Sequence, residues 1–321
     1  MNADGPVLAI TGPTATGKTT LSIDVVEQLG GEIISMDSRQ VYRGMDIGTA
    51  KPSPSQRAAV PHHGLDLVDP DERFSAGRFA RYARRCIDEV RARGRLPMLV
   101  GGTGFYLRSL THPIFREPTL DAPRRAALAE HLDALDDAAL HRWLETLDAE
   151  SARRLGSRGG RQRVLRAIEL PLLTGRPLSW WHAHAPPEAP PVRPLVLVLD
   201  VPRPELYRRI DDRVGEMVRD GLLDEVASLL RAGYDEHAPG MNATGYAELV
   251  PHLRGEIPLD EALDRIRRNT RAYARRQLTW FRHQLPDSAV WLDATRPRDE
   301  LVAEIARMVR REETREETRE D

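Results

Sequence analysis

A chain of 321 residues, 40% of them hydrophobic, can bury a substantial core, yet its apolar runs fall far short of the roughly 20 residues a membrane helix needs. A net charge of −2 excludes a uniformly basic surface for nucleic acid, though not a local patch. The lone cysteine, Cys86, excludes an intramolecular disulfide framework and a multi-cysteine zinc module, and no charged leader precedes an apolar run, so a soluble cytoplasmic protein free of the membrane is expected. A monomer is expected as well, though no residue pattern specifies the oligomeric state.

Residues 7–10 read as a buried strand running into a glycine turn. Leu21, Val25, Val26 and Leu29 have helical spacing over residues 20–29, and Gly30-Gly31 ends that helix. Strands are expected at 32–36, 64–68 and 96–100, with a helix at 79–93. This alternation predicts an α/β core, a parallel sheet flanked by helices. From about Pro113 the character changes. Residues 122–155 read as two or three helices, and 164–173 as another that Pro171 would kink or end. Trp180-Trp181 is expected to pack in a core. A strand resumes at 195–199, helices at 206–230 and 259–283, a short strand at 290–292 and a helix at 301–310. The expected organisation is a core over 1–113 and 193–311, an all-helical insertion over 114–192, and a charged, disordered tail over 312–321.

Gly12-Pro13-Thr14-Ala15-Thr16-Gly17-Lys18-Thr19 fits the G-x-x-x-x-G-K-[ST] phosphate loop in its required setting, strand before and helix after. The glycines let backbone N–H groups curl inward, Lys18 adds a full positive charge, and the Thr19 hydroxyl suits Mg²⁺. The composition sharpens this reading, because only Lys18 and Lys51 are lysines among 47 basic residues. The loop indicates a diphosphate or triphosphate without choosing between them. Asp37 follows the second strand and Thr103 the 96–100 strand, so both fall where an open parallel sheet gathers its ligands. Asp37 could accept a proton from an incoming nucleophile, or could instead cap the next helix or hold Mg²⁺ through water. Ser38 and Gln40 could hold the acceptor. Arg209 and Arg213 share a helix face, and one of them could neutralise a departing anion. Between Arg265 and His283 lie seven arginines and no carboxylate, with Tyr273, Gln277, Trp280 and Phe281 interleaved. Such a helix calls for an anionic neighbour, either RNA or acids from elsewhere in the chain.

Taken together, residues 12–19, 37–52 (DSRQVYRGMDIGTAKP), 97–107 (PMLVGGTGFYL), 163–169 (RVLRAIE), 206–221, 245–248 (GYAE) and 269–282 (NTRAYARRQLTWFR) resemble the bacterial tRNA dimethylallyltransferases, in the family's order and across nearly the whole chain. The resemblance implies transfer of a dimethylallyl group from dimethylallyl diphosphate to N6 of adenine 37 in the tRNA anticodon loop. By that likeness Gly12 to Thr19 hold the diphosphate, with Mg²⁺ on Thr19. Asp37, Thr103 and Arg213 are the catalytic set. Asp37, Ser38, Arg39, Gln40, Thr103, Arg125, Arg161, Gln162, Arg163, Val164, Leu165, Gly240, Gly245, Arg271 and Arg275 contact tRNA. Two positions depart from the family pattern: Gly160 stands where an Asp is usual, and Arg275 where a Lys is usual. A small-molecule kinase, or a prenyltransferase of free adenosine nucleotides, would also use the loop and Asp37, but neither gives the helical insertion work to do.

Overall fold

The computed structural model describes residues 6–116, 118–156 and 160–320, with side chains as far as residue 314. In chain order, β1 (Val7–Thr11) is followed by α1 (Lys18–Leu29), β2 (Gly31–Ser35), α2 (Pro54–Ala59), β3 (His62–His63), α3 (Ala76–Ala92), β4 (Leu96–Val100) and α4 (Gly104–Thr111). Five helices come next: α5 (Ala122–Asp133), α6 (Asp137–Leu147), α7 (Ala149–Leu155), α8 (Arg161–Thr174) and α9 (Leu178–His184). The chain then continues through β5 (Pro194–Asp200), α10 (Arg203–Arg219), α11 (Leu222–Arg231), α12 (Tyr246–Leu253), α13 (Leu259–Gln284), β6 (Val290–Asp293) and α14 (Arg298–Glu320).

The strands form one parallel sheet in the order β3-β2-β4-β1-β5-β6. Every residue of β1, β2 and β4 is buried; β1 and β4 are apolar runs accordingly, while β2 buries Glu32, which Arg93 and His63 hold as an ion pair. The pleat sorts their side chains. Leu8 and Ile10 pack with Leu21 of α1 and Ile305 of α14, while Val7 and Ala9 pack with Phe79 of α3 and Leu107 of α4. Each fully buried Leu or Ile contributes about 1.5–3 kcal/mol. The parallel arrangement brings the C-terminal ends of β1, β2, β4 and β5 to one edge of the sheet. No helix among the described residues is long and apolar enough to cross a membrane.

The chain divides into two compact units, Met1–His112 with Pro191–Asp321, and Pro113–Pro190. The second unit is all helical and has its own core of Leu132, Leu140, Leu144, Val164, Ala167 and Ile168. Helices α5, α6 and α7 each begin at an aspartate (Asp121, Asp136 and Asp148) whose side chain accepts the backbone N–H three residues on.

Several expectations need correction. The strand expected at 64–68 is instead β3, two residues long, because Gly64 (φ +84°) and Asp66 (φ +55°) turn the chain out of the sheet. Val68 keeps only a bridge to Tyr42. The helix expected over 206–230 is two helices, separated at Gly221, whose φ is +100°. Helix α8 runs past Pro171 to Thr174. The tail expected to be disordered from residue 312 lies within α14 as far as Glu320, with Asp321 outside the described residues. Glu and Arg are good helix formers, and α14 is anchored upstream by buried Leu301, Ile305 and Val309. Trp180 and Trp181 are half-buried rather than core: Trp180 stacks on His184 at 4.9 Å and Trp181 on Phe115 at 6.0 Å.

Candidate active site

The turn between β1 and α1 depends on residues that tolerate unusual backbone. At Gly12, with φ +142°, a Cβ would lie 2.5 Å from the Leu199 carbonyl oxygen, so no other residue fits. Ala15 (φ +64°) and Gly17 (φ +86°) curl the rest of the loop. No side chain caps α1, which leaves its first N–H groups for an anion.

This loop forms one wall of a cavity of about 890 Å³, whose other walls include Asp37, Arg213, Thr244, Tyr273 and Gln277. Lys18 and Asp37 therefore face one space. The Lys18 ammonium bends back on its own loop, donating to the Gly12 and Pro13 carbonyls at 3.0 and 2.7 Å. Burial of the ammonium, then the charge of Arg213, lower its pKa to about 7, while Asp37 pulls the other way. Arg213 donates to the Thr14 hydroxyl at 3.4 Å; its pKa is also lowered, by burial, against the opposing charges of Asp37 and Glu216. The neighbouring Arg209 pairs with Glu205, so of the two only Arg213 serves the loop.

Two neighbouring cations with no carboxylate paired to either among the described residues suit a polyanion. An anion bound beside Lys18 restores its proton, so binding should take up about one proton above pH 7. Calorimetric titration of diphosphate at pH 8, in buffers of different ionisation enthalpy, reads this uptake directly; a heat independent of buffer would place the amine outside the anion site. Between pH 7 and the ordinary lysine range the unfolded chain holds the extra proton, so this group's contribution to stability rises with pH there.

Asp37 lies just beyond the C-terminal end of β2. Its Oδ1 accepts the backbone N–H groups of Arg39 (2.8 Å) and Gln40 (3.4 Å), while Oδ2 has no partner among the described residues. The carboxylate is thus anchored by one oxygen and free at the other. The Thr103 hydroxyl accepts the Ser38 N–H at 3.0 Å and lies 3.3 Å from the Ser38 hydroxyl. Tyr273 also reaches Thr103. Burial, with the Asp37 charge, pushes the Tyr273 phenol up to about 12.

Other candidate residues also have partners within the chain, though Arg39, Gln40 and Gly245 line the same cavity. Gln40 has its amide committed: its oxygen accepts from Ser35, and its nitrogen donates to the Thr49 and Ala50 carbonyls. Arg39 donates to the Pro239 carbonyl. Gly240 is a close-packing position, since a Cβ there would lie 2.8 Å from Met45 Sδ. Gly245 lines the cavity, and its N–H donates to Glu248 at 2.7 Å. Arg161 donates to Asp137 and to the carbonyls of Leu132, Asp133 and Leu135, closing the end of α5. Arg125 pairs with Glu169. Val164 is 1% exposed and its side chain belongs to the helical core, against which Leu165 also packs. Gln162 and Arg163 are exposed.

The arginine-rich part of α13 finds acids beyond its own run. Arg265 pairs with Glu261, Arg267 with Asp264, and Arg271 with Asp211. Arg275 donates to the Tyr207 hydroxyl, and Arg276 lies over the Tyr273 ring. Among the described residues Arg268, Arg275 and Arg276 have no carboxylate partner.

The bracing role of Gln277 emerges only from the structure. Its oxygen accepts the Thr14 N–H at 3.0 Å and its nitrogen donates to the Gly102 carbonyl at 2.8 Å. One buried amide thus ties the glycine loop to the segment carrying Thr103. The only sequence signal is a polar residue on the buried side of α13, in line with Ala274 and Phe281. Gln277→Ala should cost about 1–3 kcal/mol, the price of two unpaired backbone groups. It should also weaken diphosphate binding; thermal melts with and without diphosphate measure both, and unchanged values would remove the brace.

The fold and this cleft define an α/β group-transfer enzyme built around a polyanion site. The IPP transferase family model matches residues 40–284, and an isopentenyl transferase model matches residues 5–61. A tRNA dimethylallyltransferase of Syntrophobacter fumaroxidans is 46% identical over 304 residues, covering 95% of this chain and 88% of that one. The tRNA isopentenylpyrophosphate transferase of Bacillus halodurans aligns with TM-score 0.71 and 37% identity, covering 98% of this chain and 99% of that one. A eukaryotic dimethylallyltransferase, solved as crystallographic snapshots acting on tRNA, aligns with TM-score 0.78 and 28% identity, covering 90% of this chain and 74% of that one. The chain belongs to the IPP transferase family.

Proposed function

We propose that the protein transfers the dimethylallyl group of dimethylallyl diphosphate to N6 of adenine 37 in the anticodon loop of tRNA. The observation that carries this reading is the shared cavity: Lys18 and Arg213 on one side, and the free oxygen of Asp37 on another. The N6 lone pair attacks the allylic carbon, the carbon–oxygen bond breaks, and its electrons leave with diphosphate. Asp37 Oδ2 accepts the N6 proton. Lys18, Arg213 and the N–H groups of the loop stabilise the departing charge. Thr103, fixed by Ser38 and Tyr273, offers its hydroxyl to the base.

Thr19 lines the cavity at the start of α1, and its hydroxyl suits Mg²⁺, which would neutralise diphosphate while keeping most of its ligands from water and phosphate oxygens. The adenine must leave its stack to enter. Gln162 and Arg163 are exposed on the helical unit and Arg275 and Arg276 on α13 of the other unit, and each pair separately offers donors to RNA. On this reading the enzyme works as a monomer in the cytoplasm, on its RNA.

Incubation of purified protein with tRNA, Mg²⁺ and dimethylallyl diphosphate, followed by nucleoside mass analysis, tests the proposal. A gain of one five-carbon unit on adenine 37 is expected. Phosphorylation of a small molecule from ATP, with no RNA product, would instead establish a kinase.

A further inference from the structure

Beside Thr103 the chain reads Gly104-Phe105-Tyr106-Leu107. Tyr106 and Leu107 are buried, but Phe105 is 59% exposed, more than any other large apolar residue described. Exposed apolar residues are common singly; this one stands two positions from the hydroxyl that serves the acceptor. Its surroundings are aromatic and cationic. At Gly104 a Cβ would lie 2.2 Å from the Trp280 ring, so that ring lies against the backbone next to Phe105. Arg108, one turn along α4, is exposed and donates to Gln284. Arg276, one turn before Trp280, is exposed over Tyr273, which itself reaches Thr103. Neither Arg108 nor Arg276 has a carboxylate partner among the described residues.

We infer that Phe105 is a stacking platform for a nucleobase flanking the acceptor adenine, with Arg108 and Arg276 facing the adjoining phosphates. This rests on the tRNA reading above. Extruding one base strips a stacking partner from its neighbour, and an aromatic face replaces it without regard to base identity. The interleaving of Phe105 and Trp280 with guanidiniums that no carboxylate neutralises among the described residues suits a stacked base and its charged backbone, and the patch is continuous with the cavity through Tyr273.

The test uses an anticodon stem-loop carrying 2-aminopurine on either side of the acceptor, the full-length protein, and Phe105→Ala, Phe105→Leu and Phe105→Trp. Phe105→Ala should bind the RNA about tenfold more weakly. It should raise KM for RNA while leaving KM for dimethylallyl diphosphate and kcat at saturating RNA within about twofold. Phe105→Trp should bind like the wild type. Binding should quench one 2-aminopurine in the wild type but not in Phe105→Leu, which keeps apolar bulk and should fold even if the alanine variant does not. Equal affinity and equal quenching in wild type and Phe105→Leu would overturn the inference. So would self-association of the wild type that Phe105→Ala abolishes, which would assign the patch to a second copy. If the wild type binds the stem-loop but transfers no prenyl group, the functional reading fails instead, and the quenching data show separately whether Phe105 stacks.

Discussion

Replacing Asp37 by Asn should slow prenyl transfer about a thousandfold, within the range lost with a positioned general base. RNA affinity should stay within about twofold. Asparagine keeps the Oδ1 acceptor that binds the Arg39 and Gln40 N–H groups, so the turn after β2 survives. What it removes is the basic Oδ2. Single-turnover rates at saturating RNA and donor, beside direct RNA binding, separate the two roles. A fall in affinity matching the fall in rate would make Asp37 a positioning group.

The second large effect falls on stability. Lys51 has a side chain only 1% exposed, and its ammonium donates to the Tyr42 carbonyl at 2.6 Å, Asp46 at 2.7 Å and Asp66 at 2.5 Å. Arg57 holds the other oxygen of Asp66. These contacts close residues 42–66 into one cross-linked loop behind Asp37 and Gln40. Lys51→Met should destabilise the protein by about 3 kcal/mol, the lower end for breaking a buried ion pair, because water can reach the abandoned Asp46 and Asp66. Denaturant unfolding monitored by tryptophan fluorescence measures it. Burial raises the Asp66 pKa, but hydrogen bonds and charge from Lys51 and Arg57 outweigh it, so the net shift is downward. Its stabilisation is therefore present above the ordinary aspartate range and lost as the pH falls through the lowered value. In Lys51→Met the acid limb of the stability curve should flatten; an unchanged limb would exclude the pair as its source.

The parts legible in the sequence were those written locally. The strand, glycine turn and helix around Lys18 follow from adjacent residues, and Asp37 and Thr103 were recognisable because each directly follows an apolar strand. The scarcity of lysine singled out Lys18 and Lys51, both of which line the cavity, though nothing in the sequence distinguished the one on the glycine loop from the one held between Asp46 and Asp66. Partners distant along the chain were not legible. Asp211 neutralises Arg271 across two helices, and Gln277 reaches Thr14 over 263 positions. The carboxyamide of Gln40 looked free for a ligand until the fold curled Thr49 and Ala50 onto it. Val164 shares a segment with exposed Arg163, and only helix packing shows that the two face opposite ways. The short β3 escaped because left-handed residues at 64 and 66 cancel what an apolar pattern suggests.

The depressed basicity of Lys18 has a chemical corollary. Burial and the Arg213 charge make this amine lose its proton more readily than an ordinary lysine, while Lys51, the only other lysine in the chain, is saturated with acceptors. An electrophile with an anionic head, such as a phosphorylated aldehyde, would thus meet a single receptive lysine, at the floor of the cavity. Selective covalent ligands for this enzyme can be aimed there.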